Sequence, residues 1–332
     1  MILVVGGAGY IGSHMLLRLR EAGEAHLAFD NLEKGHRTAV VDSPLFVGDL
    51  RNPEDLERVF VENPDIDTVM HFAAYIEVGE SVKEPVRYWR NNVSAVLDLL
   101  DAMRRHGIKR FVFSSTCATF GEPERLPLDE DHPQRPVSPY GDTKLAVEKI
   151  LDAEGRANGL KSVILRYFNA SGADPEGRIG EAHDPETHLV PNAIRAALGL
   201  GAGLKVFGTD YDTVDGTCLR DYIHVLDLAD AHLLAVRRLR ADGDSGKFNL
   251  GNGQGYTVRQ VIDAVAAVSG REVPFETGPR RPGDAAKLVG DSTRARRDLG
   301  WSPKYPDLED IVRHAWQWHS EHPHGYGRVS TG

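Results

Sequence analysis

The chain has 332 residues, 41% of them apolar and 27% charged, which is enough apolar content to bury a substantial core and excludes intrinsic disorder. Lys and Arg number 39 against 49 Asp and Glu, and the resulting formal charge of −10 argues against sequence-independent nucleic-acid binding. Two cysteines (Cys117 and Cys218), no leader pattern after Met1 and no window near the ~18 apolar residues of a membrane span lead us to expect a cytoplasmic protein without a membrane partner. Ile2–Val5 is a short, wholly apolar run of the kind buried in parallel sheets. It leads into Gly6-Gly7-Ala8-Gly9-Tyr10-Ile11-Gly12, after which a helix is predicted over Ser13–Ala22, closed by Gly23. Strands are predicted at Ala25–Phe29, ending in Asp30-Asn31, and at Leu45–Val47, ending in Gly48-Asp49. Asn52 and Pro53 open a helix to Glu62. Thr68–Phe72 and Phe111–Ser114 read as strands separated by a helix from Val86 to His106. Ser138-Pro139 opens a helix that runs to Gly159, and Ser162–Tyr167 reads as a sixth strand.

This alternation predicts right-handed βαβ crossovers in a doubly wound, parallel, Rossmann-type α/β sheet. Beyond Asn169 the elements shorten: helices at Pro191–Gly199, Asp227–Leu239, Thr257–Ser269 and Asp307–His319, and a strand at Lys205–Phe207. A nucleotide-binding domain over 1–168 and a smaller α/β domain over 169–332 are expected. The boundary is soft, because Asp227–Leu239 can pack back onto the first sheet.

The glycine triplet lies between a strand and a helix, where glycines let the backbone approach a pyrophosphate and the helix N-terminus meets its charge. Asp30 follows Gly12 by eighteen residues at the next strand end, placed to accept hydrogen bonds from ribose hydroxyls and to repel a 2′-phosphate. NAD is therefore expected over NADP. Asp49 and Phe72-Ala73-Ala74 also fall at strand ends. Tyr140 and Lys144 stand four apart on one predicted helix, so they share a face. A phenol in the first helical turn, beside an ammonium and with a nicotinamide cation above, is expected to shift towards phenolate and take a proton from a hydroxyl whose carbon loses hydride. Thr116, just past a strand end, can bond the same oxygen.

Longer motifs accompany these: GGAGYIGSH at 6–14, DNL at 30–32, GDLRN at 48–52, HFAA at 71–74, VGESV at 78–82 and NN at 91–92. They continue with FSST at 113–116, SPYGDTK at 138–144, RYFNASGA at 166–173, DGTCLRDYIHVLDLADAH at 215–232, NLGNG at 249–253 and RRPGD at 280–284. On them the chain resembles the extended short-chain dehydrogenase/reductases and, within these, the UDP-glucose 4-epimerase family. The resemblance implies a homodimer acting on UDP-hexoses with a tightly held NAD, the sugar passing through a 4-keto form that turns over in the pocket. It implies a cofactor site of Gly6, Gly9, Tyr10, Ile11, Gly12, Asp30, Asn31, Asp49, Leu50, Phe72, Ala73, Ala74, Asn91, Ser114, Tyr140, Lys144, Tyr167 and Phe168. For the substrate it implies Thr116, Tyr140, Asn169, His188, Leu189, Lys205, Phe207, Arg220, Tyr222, Arg281, Asp284 and Leu288. Arginine forks also suit diphosphate oxygens on chemical grounds. Leu288 takes the position that the resemblance marks as a gate beside the hexose C2 group. UDP-glucose and UDP-galactose are expected as main substrates, with weak turnover of UDP-N-acetylglucosamine.

Three positions depart from the family pattern: Ile76 replaces a lysine, His188 an asparagine and Phe120 a tyrosine. The dimer surface implied comprises the helices at Val86–His106 and Pro139–Asn158, the latter carrying Leu145, Ile150 and Leu151. His314, His319, His322 and His324 lack a closed metal-ligand spacing and are expected in a solvated tail, so no metal is assigned. Cys117 is expected to be a small apolar filler. Two rival readings are a nucleotide-sugar 4,6-dehydratase, which lacks its Asp-Glu pair at Cys117-Ala118, and an inactive NAD-binding sensor.

Overall fold

Six apolar runs become parallel strands: β1 (Ile2–Val5), β2 (His26–Asp30), β3 (Leu45–Val47), β4 (Thr68–His71), β5 (Arg110–Thr116) and β6 (Lys161–Tyr167). The computed structural model describes residues 1–201, 203–281 and 285–327. The sheet has a seventh strand, Gly246–Leu250, and runs in the order Gly246–Leu250, β6, β5, β4, β1, β2, β3. Strand order reverses at β1, which pairs with β2 on one side and β4 on the other. Crevices at such a switch point, outside the carboxyl ends of the strands, are where ligands bind in open α/β sheets. The doubly wound fold expected from the sequence is thus the fold observed.

The crossover helices are α1 (Tyr10–Glu21), α2 (Pro53–Glu62), α3 (Val78–Lys83), α4 (Pro85–Trp89), α5 (Ala95–Arg105) and α6 (Pro139–Asn158). α1 starts three residues before its predicted position, directly on the glycine turn. The helix predicted over Val86–His106 is instead α4 and α5 joined by a π-helical turn at Arg90–Ser94, with α3 preceding it. Pro85 sits at the start of α4, where its missing N–H is not needed. The π-turn turns Asn92 inward. Its side chain accepts from the Tyr75 N–H at 2.9 Å and donates to the Tyr75 carbonyl at 3.0 Å, fixing the chain that leaves β4.

After β6 come α7 (Leu189–Ala197), α8 (Val225–Arg240), α9 (Val258–Ser269), α10 (Thr293–Leu299) and α11 (Leu308–Glu321). One face of the sheet buries α1 and α8 and the other buries α2, α5 and α6. A separate core forms among α7, α9 and α11. Of the four C-terminal histidines only His324 is exposed as expected. His319 is buried, His314 meets His224 at 3.0 Å and His322 stacks on buried Trp318 at 3.9 Å. Helix α11 carries this face inward, which ligand spacing alone could not reveal.

Candidate active site

The glycine turn is compact by necessity. Gly6 has φ +80°, and a Cβ on it would stand 2.6 Å from the Ala73 nitrogen; one on Gly12 would stand 2.0 Å from the Gly6 carbonyl oxygen. A Cβ on Gly9 would meet only that oxygen, at 3.4 Å, so the turn is open on its other side. Helix α1 has no side-chain cap and no acidic residue in its first turn, whereas α2 and α6 are capped by Asn52 and Ser138. Its unsatisfied amides and positive dipole end suit a pyrophosphate. Asp30, almost buried at the end of β2, accepts from the N–H groups of Ala8 at 2.9 Å and Leu32 at 2.8 Å. Burial pushes its carboxyl up and these two donors oppose that. Asp49 is held by Arg51 and Asn31, and the Arg51 guanidinium keeps its carboxyl well below the usual carboxylate range. The residues present fit a dinucleotide.

A cleft of about 480 Å³ runs along the carboxyl ends of β1, β2, β4, β5 and β6. It falls within the roughly 300–1,000 Å³ of small-ligand sites. Every residue expected at the cofactor lines it: Gly6, Gly9, Tyr10, Ile11, Gly12, Asp30, Asn31, Asp49, Leu50, Phe72, Ala73, Ala74, Asn91, Ser114, Tyr140, Lys144, Tyr167 and Phe168. Tyr10 does so beside its own hydroxyl's bond to the Gly172 carbonyl, 2.7 Å away.

Ser138 and Pro139 start α6 so that Tyr140 lies in its first turn, with the Ser138 hydroxyl accepting from the Gly141 N–H at 3.2 Å. Lys144, one turn on, is buried; its Nζ donates to the Ser114 carbonyl at 2.9 Å and lies 4.9 Å from the Phe113 ring centre. Thr116 ends β5 and joins Tyr140 and Lys144 in the cleft wall. The expected shift of Tyr140 towards phenolate is not what the protein alone produces. Burial pushes the phenol up, against a hydrogen bond with Thr116, and burial pushes the Lys144 ammonium down to about 7, against the Glu148 carboxylate. Burial is the largest cause of both shifts. Cys117, half-buried in the cleft wall, packs against the cluster of Phe120, Leu128 and Phe168, and burial pushes its thiol up to about 12.

Residues 2–251 match the NAD dependent epimerase/dehydratase family. A UDP-glucose 4-epimerase of Halalkalibacterium halodurans is 54% identical over 98% of this chain and 97% of its own. The crystal structure of UDP-glucose 4-epimerase from Brucella ovis in complex with NAD superposes with a TM-score of 0.93 at 47% identity, covering 95% of this chain and 97% of that one. That of the Bifidobacterium longum UDP-glucose 4-epimerase in complex with NAD+ and UDP superposes with a TM-score of 0.93 at 36% identity, covering 98% and 99%. The chain belongs to the NAD-dependent epimerase/dehydratase family.

Like its epimerase relatives in complex with NAD, this family member has a site suited to that dinucleotide. The residues expected at the sugar nucleotide are more dispersed. Thr116, Tyr140, Asn169, His188 and Leu288 line the cleft, whereas Leu189, Lys205, Phe207, Arg220, Tyr222 and Arg281 do not. Leu189 opens α7, and Tyr222 is buried in the second core. Arg220 pairs in register with Leu288 across short parallel strands. The Arg281 guanidinium lies 3.9 Å from the Phe207 ring centre, and the Lys205 ammonium 5.6 Å from the same ring. Asp284 lies outside the described residues. His188 faces the cleft, but its Nδ1 is drawn to Glu181 and Glu186. Ile76 stands at the cleft wall with its side chain part-exposed, and Phe120 is buried against Leu128 and Phe168.

Of the segment 180–188, which forms one wall of the cleft, sequence reasoning found only His188, and it missed Tyr326, which pairs with Gly180 there. It also missed Glu148, which is buried behind Lys144 and grips Arg166 with both oxygens. The Ser115 hydroxyl donates to the same carboxylate at 2.6 Å.

Proposed function

We propose that this protein interconverts UDP-glucose and UDP-galactose by inverting C4 through a transient 4-keto sugar. The observation carrying this reading is that Tyr140, Thr116 and Lys144 meet in the same cleft as the uncapped N-terminus of α1. NAD, when bound, supplies the acceptor and donor of the C4 hydride, and its nicotinamide cation favours an ionised phenol. Tyr140 takes the O4 proton and returns it after the ketone has turned in the pocket. Thr116 bonds the same sugar oxygen, and Lys144 orients the ribose and favours the phenolate. Asp30 accepts from the adenosine ribose hydroxyls. Asn169, His188, Leu189, Lys205, Phe207, Arg220, Tyr222, Arg281 and Asp284 serve the uridine diphosphate, and Leu288 borders the hexose. In this division residues 1–168 serve the dinucleotide and 169–332 the sugar nucleotide, with Val225–Leu250 built back into the first layer.

The test is to incubate purified protein with UDP-galactose, adding no nucleotide, and to resolve the products. UDP-glucose is expected. A 4-keto-6-deoxy product would mark a dehydratase, and unchanged substrate an inactive sensor. Acid release of the bound nucleotide is expected to yield NAD; NADP would overturn the role given to Asp30.

We also propose a cytoplasmic homodimer. No helix among the described residues is long and apolar enough to cross a membrane, and Cys117 and Cys218 are not joined in a disulfide. Of the apolar residues on α6, Leu145 and Leu151 are buried within the protomer and Ile150 is half-buried. Exposed apolar side chains are found instead on α3–α5, at Val78, Val82, Val86, Trp89 and Leu97. Such side chains, gathered on neighbouring helices, suit an interface. Sedimentation at micromolar concentration is expected to give about 73 kDa, twice the 36.5 kDa chain; a 36.5 kDa species would refute the dimer.

A further inference from the structure

The loop entering α7 gathers four side chains at one point. Nδ1 of His188 lies 2.8 Å from Oε1 of Glu181 and 2.9 Å from Oε1 of Glu186. Nδ1 of His183 lies 3.0 Å from Glu181 Oε1 and 3.7 Å from Glu186 Oε2. One ligand atom from each residue fits within 4.8 Å of all the others. Both carboxylates are nearly buried, at 3% and 4% side-chain exposure. Among the described residues, no lysine or arginine is paired with either.

Hydrogen bonds pair His183 with Glu181 and His188 with Glu186, but they leave part of this geometry unexplained. An imidazole Nδ1 carries one in-plane hydrogen, yet His188 has two carboxylate oxygens almost equally close to that atom. With both imidazoles neutral, two buried carboxylates would stand together uncompensated, a costly arrangement. A small divalent cation at the centre removes both difficulties, since it satisfies all four lone pairs and brings the charge to zero.

We propose that Glu181, His183, Glu186 and His188 form a structural zinc site. Zinc binds imidazole nitrogen and carboxylate oxygen at about 2.0–2.2 Å in a tetrahedron, which sets neighbouring ligand atoms roughly 3.3–3.5 Å apart. Three of the four separations above fall short of that figure and one, to the second oxygen of Glu186, exceeds it, so small side-chain shifts would bring the ligand atoms to it. Two imidazole donors favour zinc over magnesium or calcium, which prefer oxygen alone. The backbone N–H groups of Thr187 and His188 donate to Glu186 Oε1 at 2.8 Å each, orienting that carboxylate and leaving Oε2 for the metal.

The ligands lie at both ends of the segment that walls the cleft. Between them, Lys34 donates to the Asp184 carbonyl at 3.2 Å, His36 bonds the Ala182 carbonyl at 2.8 Å, and Trp318 donates to the Glu181 carbonyl at 3.0 Å. The metal therefore fastens this wall to α7 beside the glycine turn and slows the departure of the dinucleotide. That consequence rests on the NAD reading above; the zinc site itself does not.

The test uses the full chain with any affinity tag removed, purified without chelators. Mass spectrometry of the metals is expected to find about one zinc per chain, as for a site whose ligands are gathered by folding. After stripping with EDTA, zinc chloride alone is expected to raise Tm by about 5 °C or more. The double variant His183→Asn with Glu186→Gln is expected to bind zinc at least about 10²-fold more weakly. Trace zinc in the parent with no Tm response to zinc chloride would overturn the proposal, as would a double variant that binds zinc like the parent. If the double variant does not fold, stripping and reloading the parent decides the matter. None of these readouts uses epimerase activity, so this proposal and the proposed reaction can fail separately.

Discussion

Tyr140→Phe lowers epimerase turnover by about 10²-fold or more, the expected cost of losing a positioned proton acceptor, and leaves the bound nucleotide in place. The substitution removes one oxygen from a buried phenol in the first turn of α6. The cap at Ser138 and the bond from Lys144 to the Ser114 carbonyl do not depend on that oxygen. KM for the sugar nucleotide is expected to move far less than kcat, because the lost interaction is with the transferring proton. Steady-state kinetics and acid release of the nucleotide on the same preparation check both parts. Near-full activity would make Thr116 or another group the base; loss of the nucleotide would mean that the phenol supports the cofactor site itself.

Glu148→Gln costs about 3–5 kcal/mol of stability, the range for removing one partner of a fully buried ion pair. Its carboxylate receives Arg166 Nε at 3.0 and 3.2 Å and a terminal guanidinium nitrogen at 2.6 Å, with the two side chains only 1% and 2% exposed. Glutamine keeps the volume but leaves a guanidinium buried without its counter-charge. At about 2–4 °C per kcal/mol for a chain of this order, Tm falls by roughly 10 °C. A paired change, Glu148→Leu with Arg166→Met, is expected to recover much of that, since it removes both charges together. A single variant within about 1 kcal/mol of the parent in urea unfolding would refute the account. The pair also carries a pH signature. The guanidinium and Ser115 hold the Glu148 carboxyl below its ordinary value despite burial. Its contribution is therefore complete above the ordinary glutamate pKa of about 4.3 and is lost as pH falls towards the lower folded value.

What the sequence disclosed was what is local in it. The glycine turn, Asp30 at a strand end and the four-residue spacing of Tyr140 and Lys144 each follow from one element's period, and all reach the cleft. Interactions between elements were not legible. Glu148 and Arg166 sit on a helix and the following strand, and only packing shows that they meet. The π-turn at Arg90–Ser94 interrupts what reads as one continuous helix. Glu181, His183, Glu186 and His188 lie in an irregular loop whose spacing matches no helix or strand period. How deep the phenol of Tyr140 lies is likewise not legible in its motif, and in the protein without the nicotinamide cation burial pushes it up.

The return of the chain to its first sheet has a consequence for synthesis on the ribosome. Strand β6 ends at Tyr167, but its outer neighbour, Gly246–Leu250, is made only about 80 residues later, and α8, which covers α1, lies in that interval. At about 5–20 residues per second the nascent sheet waits roughly 4–16 s with an unpaired edge and an uncovered apolar face. Open strand edges recruit other strands. The emerging chain is therefore most prone to aggregation after its nucleotide fingerprint has been made and before residue 250 has appeared, and this interval is where a chaperone would act.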